Sequence, residues 1–196
     1  MSVVEFRPRI SQVSLIVCAD LQGEYIALGR RFSITDTSLC LANCRRLLQA
    51  ARALRIPVAH SRQMRGESHF NPHSSFADWI PEFRPRPNEM VHERSQPSLY
   101  SNPDFAAFVE HIREPTLVLA GLSGTQVCLS TAVGAFHRKH RLIFLSDCSA
   151  SPSLGSLSEA ESHEAVCRII AQYAEVTELA EFLSQLEQPR VRRALT

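Results

Sequence analysis

The chain has 196 residues, with 21 Lys and Arg against 20 Asp and Glu and a net charge of +1, a length suited to one ordinary α/β domain with its own core. Its basic residues are scattered, which argues against a nucleic-acid partner. The opening MSVVEFRPRISQ is polar and broken by proline, and no apolar run reaches membrane-spanning length. The expectation is a cytoplasmic protein with no membrane partner. Six cysteines (Cys18, Cys40, Cys44, Cys128, Cys148 and Cys167) include no C-x-x-C pair, which argues against a zinc ribbon and for reduced thiols.

Ser14 to Ala19, SLIVCA, reads as a fully buried strand ending at Asp20. Asp36 then caps a helix from Thr37 to about Leu54, whose stripe of Cys40, Cys44, Leu47, Leu48, Ala51 and Leu54 makes both cysteines core residues. Pro57 to His60 is a second strand. Residues 61–88 carry four prolines and the only tryptophan, Trp79, and read as a long functional loop or lid. Glu89 to His92 suits an edge strand, and Pro103 after Ser101-Asn102 starts a helix bearing Phe105, Phe108, Val109 and Ile112. Thr116 to Ala120 is a third buried strand. The small residues Gly121-Leu122-Ser123-Gly124 lead into a helical pattern from Val127 to Arg138, and Arg141 to Asp147 is a fourth buried strand. After a SPSLGSLS loop, the capping box from Ser158 to Glu161 opens a helix to about Ala174. Val176-Thr177 is a candidate last edge strand, followed by a short helix before Pro189. The tail 187–196 is either solvated or an interface arm.

Strands alternating with helices predict an α/β fold: one doubly wound, mostly parallel sheet of about six strands with helices on both faces. A single domain over 1–196, with its core at about 12–180, is expected. Ligands in such sheets bind beyond the carboxyl ends of the strands, where Asp20, His60, the Arg94 segment and the turn from Gly121 to Cys128 all fall.

Cys128 lies at the junction of a strand and a helix, beside free N–H groups and the positive end of the helix dipole. Both favour thiolate and suit an anion. It reads as a nucleophile or, alternatively, as a small buried hydrophobe. Asp20, partly desolvated at a strand end, reads as a general base or as a residue capping the following turn.

These residues sit in a set of motifs: D-L-Q at 20–22, V-A-H-S-R at 58–62, R-S-Q-P-S-L-Y at 94–100, G-L-S-G-T-Q-V-C-L-S-T-A at 121–132 and L-S-D at 145–147. In that order they resemble the isochorismatase-like cysteine hydrolases, a superfamily that includes nicotinamidases, carbamoylsarcosine amidohydrolase and isochorismatase, over about residues 12–180. The resemblance implies a catalytic Asp, Lys and Cys, with the cysteine forming an acyl-enzyme that water hydrolyses. Asp20 and Cys128 match the first and last. Arg94 stands at the lysine position, where it keeps the charge to stabilise the Cys128 thiolate and pair with Asp20 but cannot shuttle a proton. The alternative for Arg94 is an ion pair with Glu89 or Glu93.

The resemblance also implies a cis peptide, mapped onto Ser123-Gly124 ahead of Thr125, that turns the Gly124 and Cys128 N–H groups toward one oxyanion. One extra residue separates the glycine from the cysteine. Metal-binding relatives resemble one another in an Asp-x-His pair and a further His; here only His60 follows the second strand, and neither a metal nor a cofactor is expected, while His69 and His73 have i, i+4 spacing without a carboxylate partner. Gln22, Tyr25, His60, Trp79, Tyr100 and Ser123 are candidates for the pocket. Cys128 favours hydrolysis of an amide, ureide or carbamoyl C–N bond of a small-molecule substrate. The alternatives are a catalytically altered member acting in binding or assembly, and Asp-only cleavage of a vinyl ether. Relatives suggest a homo-oligomer, a dimer or a tetramer.

Overall fold

The computed structural model describes residues 13–66 and 68–187. Residues 1–12 and the tail from 188, with its suggested role as an interface arm, lie outside the described residues. Six strands, β1 (Leu15–Ala19), β2 (Val58–Gln63), β3 (Met90–Arg94), β4 (Thr116–Leu122), β5 (Arg141–Ala150) and β6 (Glu175–Thr177), form one sheet in the order β3-β2-β1-β4-β5-β6. Every pairing is parallel. The apolar runs of β1 and β4 are buried on both sides, as a sheet with two covered faces requires. The direction of strand order reverses between the neighbours β1 and β4, the place where such sheets open a crevice at their carboxyl ends.

Helices α1 (Ser38–Ala53) and α5 (Leu179–Glu187) cover one face, with Cys40, Cys44, Leu47, Leu48, Ala51 and Phe182 against Ile16, Cys18, Val118 and Ile143. Helices α2 (Pro103–Glu110), α3 (Leu129–His137) and α4 (Glu159–Ile170) cover the other, with Phe105, Val109, Ala135, Val166 and Ile170 against Leu15, Val17, Leu119 and Phe144. The alternate residues of each strand supply the two cores, and fully burying each Leu, Ile or Phe contributes roughly 1.5–3 kcal/mol. Asn102 caps α2 ahead of Pro103, and the Ser158–Glu161 capping box of α4 is complete.

Several boundaries differ from the sequence expectation. Thr37, not Asp36, occupies the cap position of α1; the Asp36 carboxylate accepts from Ser38 Oγ at 2.9 Å, and Glu159 accepts from the Thr35 and Asp36 N–H groups at 2.8 and 3.3 Å. The turn is therefore stapled to α4 by a long-range contact that local patterning does not show. Strand β2 runs on to Gln63, and β3 to Arg94, because parallel pairing between them continues through Gln63 and Arg94. Strand β5 extends to Ala150 past an irregularity between Leu119 and Gly121 in its β4 partner. The stretch expected as an open loop is anchored: short helical turns at Ser75–Ala77 and Pro81–Phe83 put Ala77, Ile80 and Phe83 in the interior, along with Phe70.

Candidate active site

The site grows from the ends of β1 and β4, the two strands that flank the reversal. Ala19 pairs with Gly121, and a Cβ on Gly121 would fall 1.9 Å from the Ala19 carbonyl oxygen. Gly121 also has φ +125°. Both facts demand glycine there, and they let the β4 backbone close on β1 just before each strand delivers its functional residue. Asp20 has φ +51°, a left-handed conformation that Asp tolerates better than most residues. Its N–H donates to the Ser61 carbonyl at 2.8 Å, so the chain turns sharply while the carboxylate stays inside, fully buried.

Arg94 reaches the same carboxylate from two strands away, a separation of about 9–10 Å across the sheet. It is long enough to cross the small side chain of Ser61. Arg94 Nη2 pairs with Asp20 Oδ2, Nη1 donates to the Gln96 carbonyl at 2.8 Å, and Ser61 Oγ donates to Asp20 Oδ1 at 2.9 Å. Burial pushes the Asp20 carboxyl above its ordinary range, while the Arg94 charge and the Ser61 hydroxyl draw it back down. The Arg94 Nε–H is buried without a partner. The alternative pairings of Arg94 are filled otherwise: Glu93 binds Arg62, and Glu89 binds Arg52 and His60.

After β4 the chain makes a cis peptide between Leu122 and Ser123, one residue earlier than the expected Ser123-Gly124. The extra residue of the motif is taken up in a wide turn, Gly124–Cys128, in which the Cys128 N–H donates to the Ser123 carbonyl five residues back at 3.3 Å. Such a turn holds one residue more than an α-turn. Cys128 consequently sits at the cap of α3 and not inside its first turn. Its N–H, expected to face an oxyanion, is directed to Ser123. A Cβ on Gly124 would meet Ser151, His163 and Val166, so this glycine packs closely against β5 and α4.

The Cys128 sulfur is fully buried and lies 3.7 Å from both the Gly121 carbonyl and the Ser149 hydroxyl. Burial holds the thiol far above the ordinary thiol range, Ser149 lowers it and the Asp20 charge raises it further. Of the two roles expected for Arg94, the pairing with Asp20 is formed. The guanidinium is committed to Asp20 and Gln96, and burial favours the protonated form of the sulfur.

The isochorismatase domain profile matches residues 14–181. The chain belongs to the isochorismatase family. An isochorismatase from Pseudomonas putida superposes with a TM-score of 0.81 at 25% identity, covering 90% of this chain and 93% of that one. A cysteine hydrolase from Pseudomonas syringae pv. phaseolicola gives 0.78 at 20% identity over 95% and 98%. An isochorismatase-like hydrolase from Alkaliphilus metalliredigens gives 0.75 at 20% over 88% and 96%. None of the curated proteins matches the chain.

Within this isochorismatase-family fold the expected pocket residues divide. Tyr25 and Ser123 are fully buried; burial and the Asp20 charge push the Tyr25 phenol well above its ordinary value, while Arg94 and the Ser123 side chain draw it back. Gln22 is a structural clamp, its amide donating to the Gln63 and Ala77 carbonyls at 3.0 and 2.6 Å and accepting from the Gln63 N–H at 2.8 Å. It ties the 75–77 turn to β2. His60 points to the α1 side of the sheet, with Nε2 2.9 Å from Glu89, its ring edge-on to Trp79, and burial lowering its pKa so that it stays neutral. Trp79 thereby packs on His60 and beneath Arg62. Tyr100 belongs to the helical core: its hydroxyl meets His140 Nδ1 at 2.9 Å and Arg138 lies over its ring. Alternation along β2 turns His60 to the face opposite Ser61, and the contacts formed by Gln22, Trp79 and Tyr100 are with their packing neighbours.

Among the described residues no group of three or more His, Cys, Asp and Glu is arranged to hold a metal ion. His69 meets Ser68 and the ring of Phe32. Two contributors were not singled out in the sequence: Ser61, which stands inside the V-A-H-S-R motif at 58–62, and Ser149, which lies beyond the expected end of β5. Ser149 also lines a cavity of about 260 Å³ with Ile34, Cys40, Asp147, Ala150 and His163, so open space reaches to the neighbour of the sulfur.

Proposed function

We propose that this isochorismatase-family hydrolase uses Cys128 to cleave a C–N bond (amide, ureide or carbamoyl) of a small soluble cytoplasmic substrate through an acyl-enzyme, without a metal or cofactor. The observation that carries the reading is the delivery of Asp20 and Cys128 to adjacent strand ends at the sheet's reversal, with Arg94 paired to Asp20. Burial favours the protonated thiol, so sulfur attacks as Asp20 takes its proton. A carboxylate with a raised pKa is a better match for that transfer than an exposed one. The tetrahedral intermediate collapses with Asp20 returning the proton to the leaving nitrogen; water, deprotonated by Asp20, then cleaves the thioester. Arg94 keeps Asp20 ionised between steps and moves no proton. Gly124 N–H, and Cys128 N–H once it leaves Ser123, supply hydrogen bonds to the oxyanion.

Full burial of Asp20 and Cys128 means that the surrounding turns move to admit substrate. The commitment of the Arg94 guanidinium to Asp20 and the Gln96 carbonyl favours a second reading, in which the protein has lost hydrolysis and serves in binding or assembly. A screen of small amides, ureides and carbamoyl compounds by ammonia release separates them. Release that disappears in Cys128→Ala and in Asp20→Asn supports the enzyme; full activity in Cys128→Ala removes it.

A further inference from the structure

The Cys128 sulfur has two polar contacts among the described residues, the Gly121 carbonyl on β4 and the Ser149 hydroxyl on β5, each at 3.7 Å. A carbonyl only accepts, so the protonated sulfur donates to Gly121, and the hydrogen bond that the sulfur accepts comes from Ser149. Among the described residues the Ser149 hydroxyl makes no other hydrogen bond, and the residue is 4% exposed. Its place is built by an irregularity in the sheet. From the pair Leu119 with Phe144 to the pair Gly121 with Ser149, β4 advances two residues (119 to 121) and β5 five (144 to 149). The extra length of β5 sets Ser149 opposite the glycine at the end of β4, as bulges beside sites re-aim a side chain. The other groups able to serve the sulfur are committed: Arg94 to Asp20 and the Gln96 carbonyl, and the Cys128 N–H to the Ser123 carbonyl. Ser149 lowers the thiol against the raising effect of burial.

We propose that Ser149 is a further catalytic residue, whose hydroxyl donates to the Cys128 sulfur and stabilises the negative charge that the sulfur bears as the acyl-enzyme forms and breaks. This rests on the acyl-enzyme reading above. In acylation the thiol proton leaves the Gly121 carbonyl and passes to Asp20 as the sulfur–carbon bond forms. Collapse of the intermediate expels the leaving group, which takes that proton from Asp20. In deacylation water gives a proton to Asp20 and bonds to the acyl carbon. The carbon–sulfur bond then breaks with its electron pair going to sulfur, which accepts from Ser149 until Asp20 returns the proton. Ser149 keeps its own proton throughout. A hydrogen bond to a charged acceptor is shorter and stronger than one to a neutral acceptor, so the 3.7 Å contact tightens when the sulfur is electron-rich and favours those states over the resting thiol. A neutral hydroxyl thereby supplies the sulfur with stabilisation that the committed Arg94 charge does not.

The test uses the full chain and p-nitrophenyl acetate. Release of p-nitrophenolate in the first turnover gives the acetylation rate constant and the apparent Kd separately. Peptide mapping places the acetyl group, and its decay by intact mass gives the deacetylation rate constant. The wild type is acetylated on Cys128. Ser149→Ala slows acetylation and deacetylation by about tenfold each, the scale of one hydrogen bond to a charged group, with the apparent Kd and the melting temperature close to wild type. Both rate constants of Ser149→Ala within threefold of wild type overturn the inference and leave Cys128 as nucleophile. A loss carried by the apparent Kd, or accompanied by a melting temperature lowered by several degrees, overturns it also, making Ser149 structural. Failure of the wild type to be acetylated on Cys128 removes the acyl-enzyme reading itself, and this inference with it.

Discussion

At Asp20 three effects compete, and their balance sets the pH dependence. Burial raises its pKa and Arg94 and Ser61 lower it, with burial prevailing. The base form is needed for attack, so kcat/KM falls as pH drops through this raised value, and its acid limb lies above the ordinary carboxylate range. Removing the Arg94 charge takes away a lowering influence. In Arg94→Ala the limb moves to higher pH, while in Arg94→Lys, which keeps a charge, it stays nearer to wild type; pH profiles of the three proteins check this. A limb that does not move in Arg94→Ala would show that Asp20 is not the titrating base. The same residue marks what spacing can convey: the motif position of Arg94 and its pairing with Asp20 are readable from the resemblance, and the second contact, from Nη1 to the Gln96 carbonyl, is found only in the structure.

At the level of elements, the turn between β4 and α3 is the most constrained part of the fold. Gly121→Ala puts a methyl group into the Ala19 carbonyl and forces φ +125° on an L-residue, so unfolding in urea should show a loss of about 3 kcal/mol or more. Glu89 joins three elements, accepting from Arg52 of α1 at 2.7 Å and from the Arg86 N–H at 2.9 Å, and meeting His60 of β2. Burial works against its ionisation, but Arg52, Arg86 and His60 win and pull its pKa down to about 2. The stability it contributes is therefore full above the unfolded-state value of about 4.5 and lost as pH falls toward 2. Glu89→Gln should be less stable than wild type at pH 7, with the gap closing between pH 4.5 and 2 in denaturant titrations. The strands and helices were legible because apolar runs and 3.6-residue stripes such as Cys40, Cys44, Leu47 and Ala51 carry their own signal. The wide turn at Gly124–Cys128 was not, since an extra residue can be absorbed in a turn or a bulge and only the hydrogen bond from Cys128 to Ser123 decides which.

For the whole molecule, the sheet order and its reversal explain why residues 20, 61, 94 and 128, scattered along the chain, share one carboxyl-end site. The motif order conveyed that convergence; it did not show that β2 turns His60 to the face opposite Ser61, since which way a residue points depends on register. The surface leaves Leu28, Leu39, Phe136 and Leu154 well exposed, and we propose that a homo-oligomer, a dimer or a tetramer, covers part of it. Light scattering at micromolar concentration should report at least twice the chain mass of 22.0 kDa. A monomer would contradict this.

The central claim is that sulfur 128 bonds to the substrate. Rapid acid quench of wild-type enzyme with an amide identified by ammonia release, followed by intact mass and peptide mapping, tests it most directly. The account predicts an acyl adduct on Cys128 that forms before steady state and is absent, with turnover down more than about a thousandfold, in Cys128→Ala. Undiminished turnover by Cys128→Ala, with no adduct on the wild type, would contradict it.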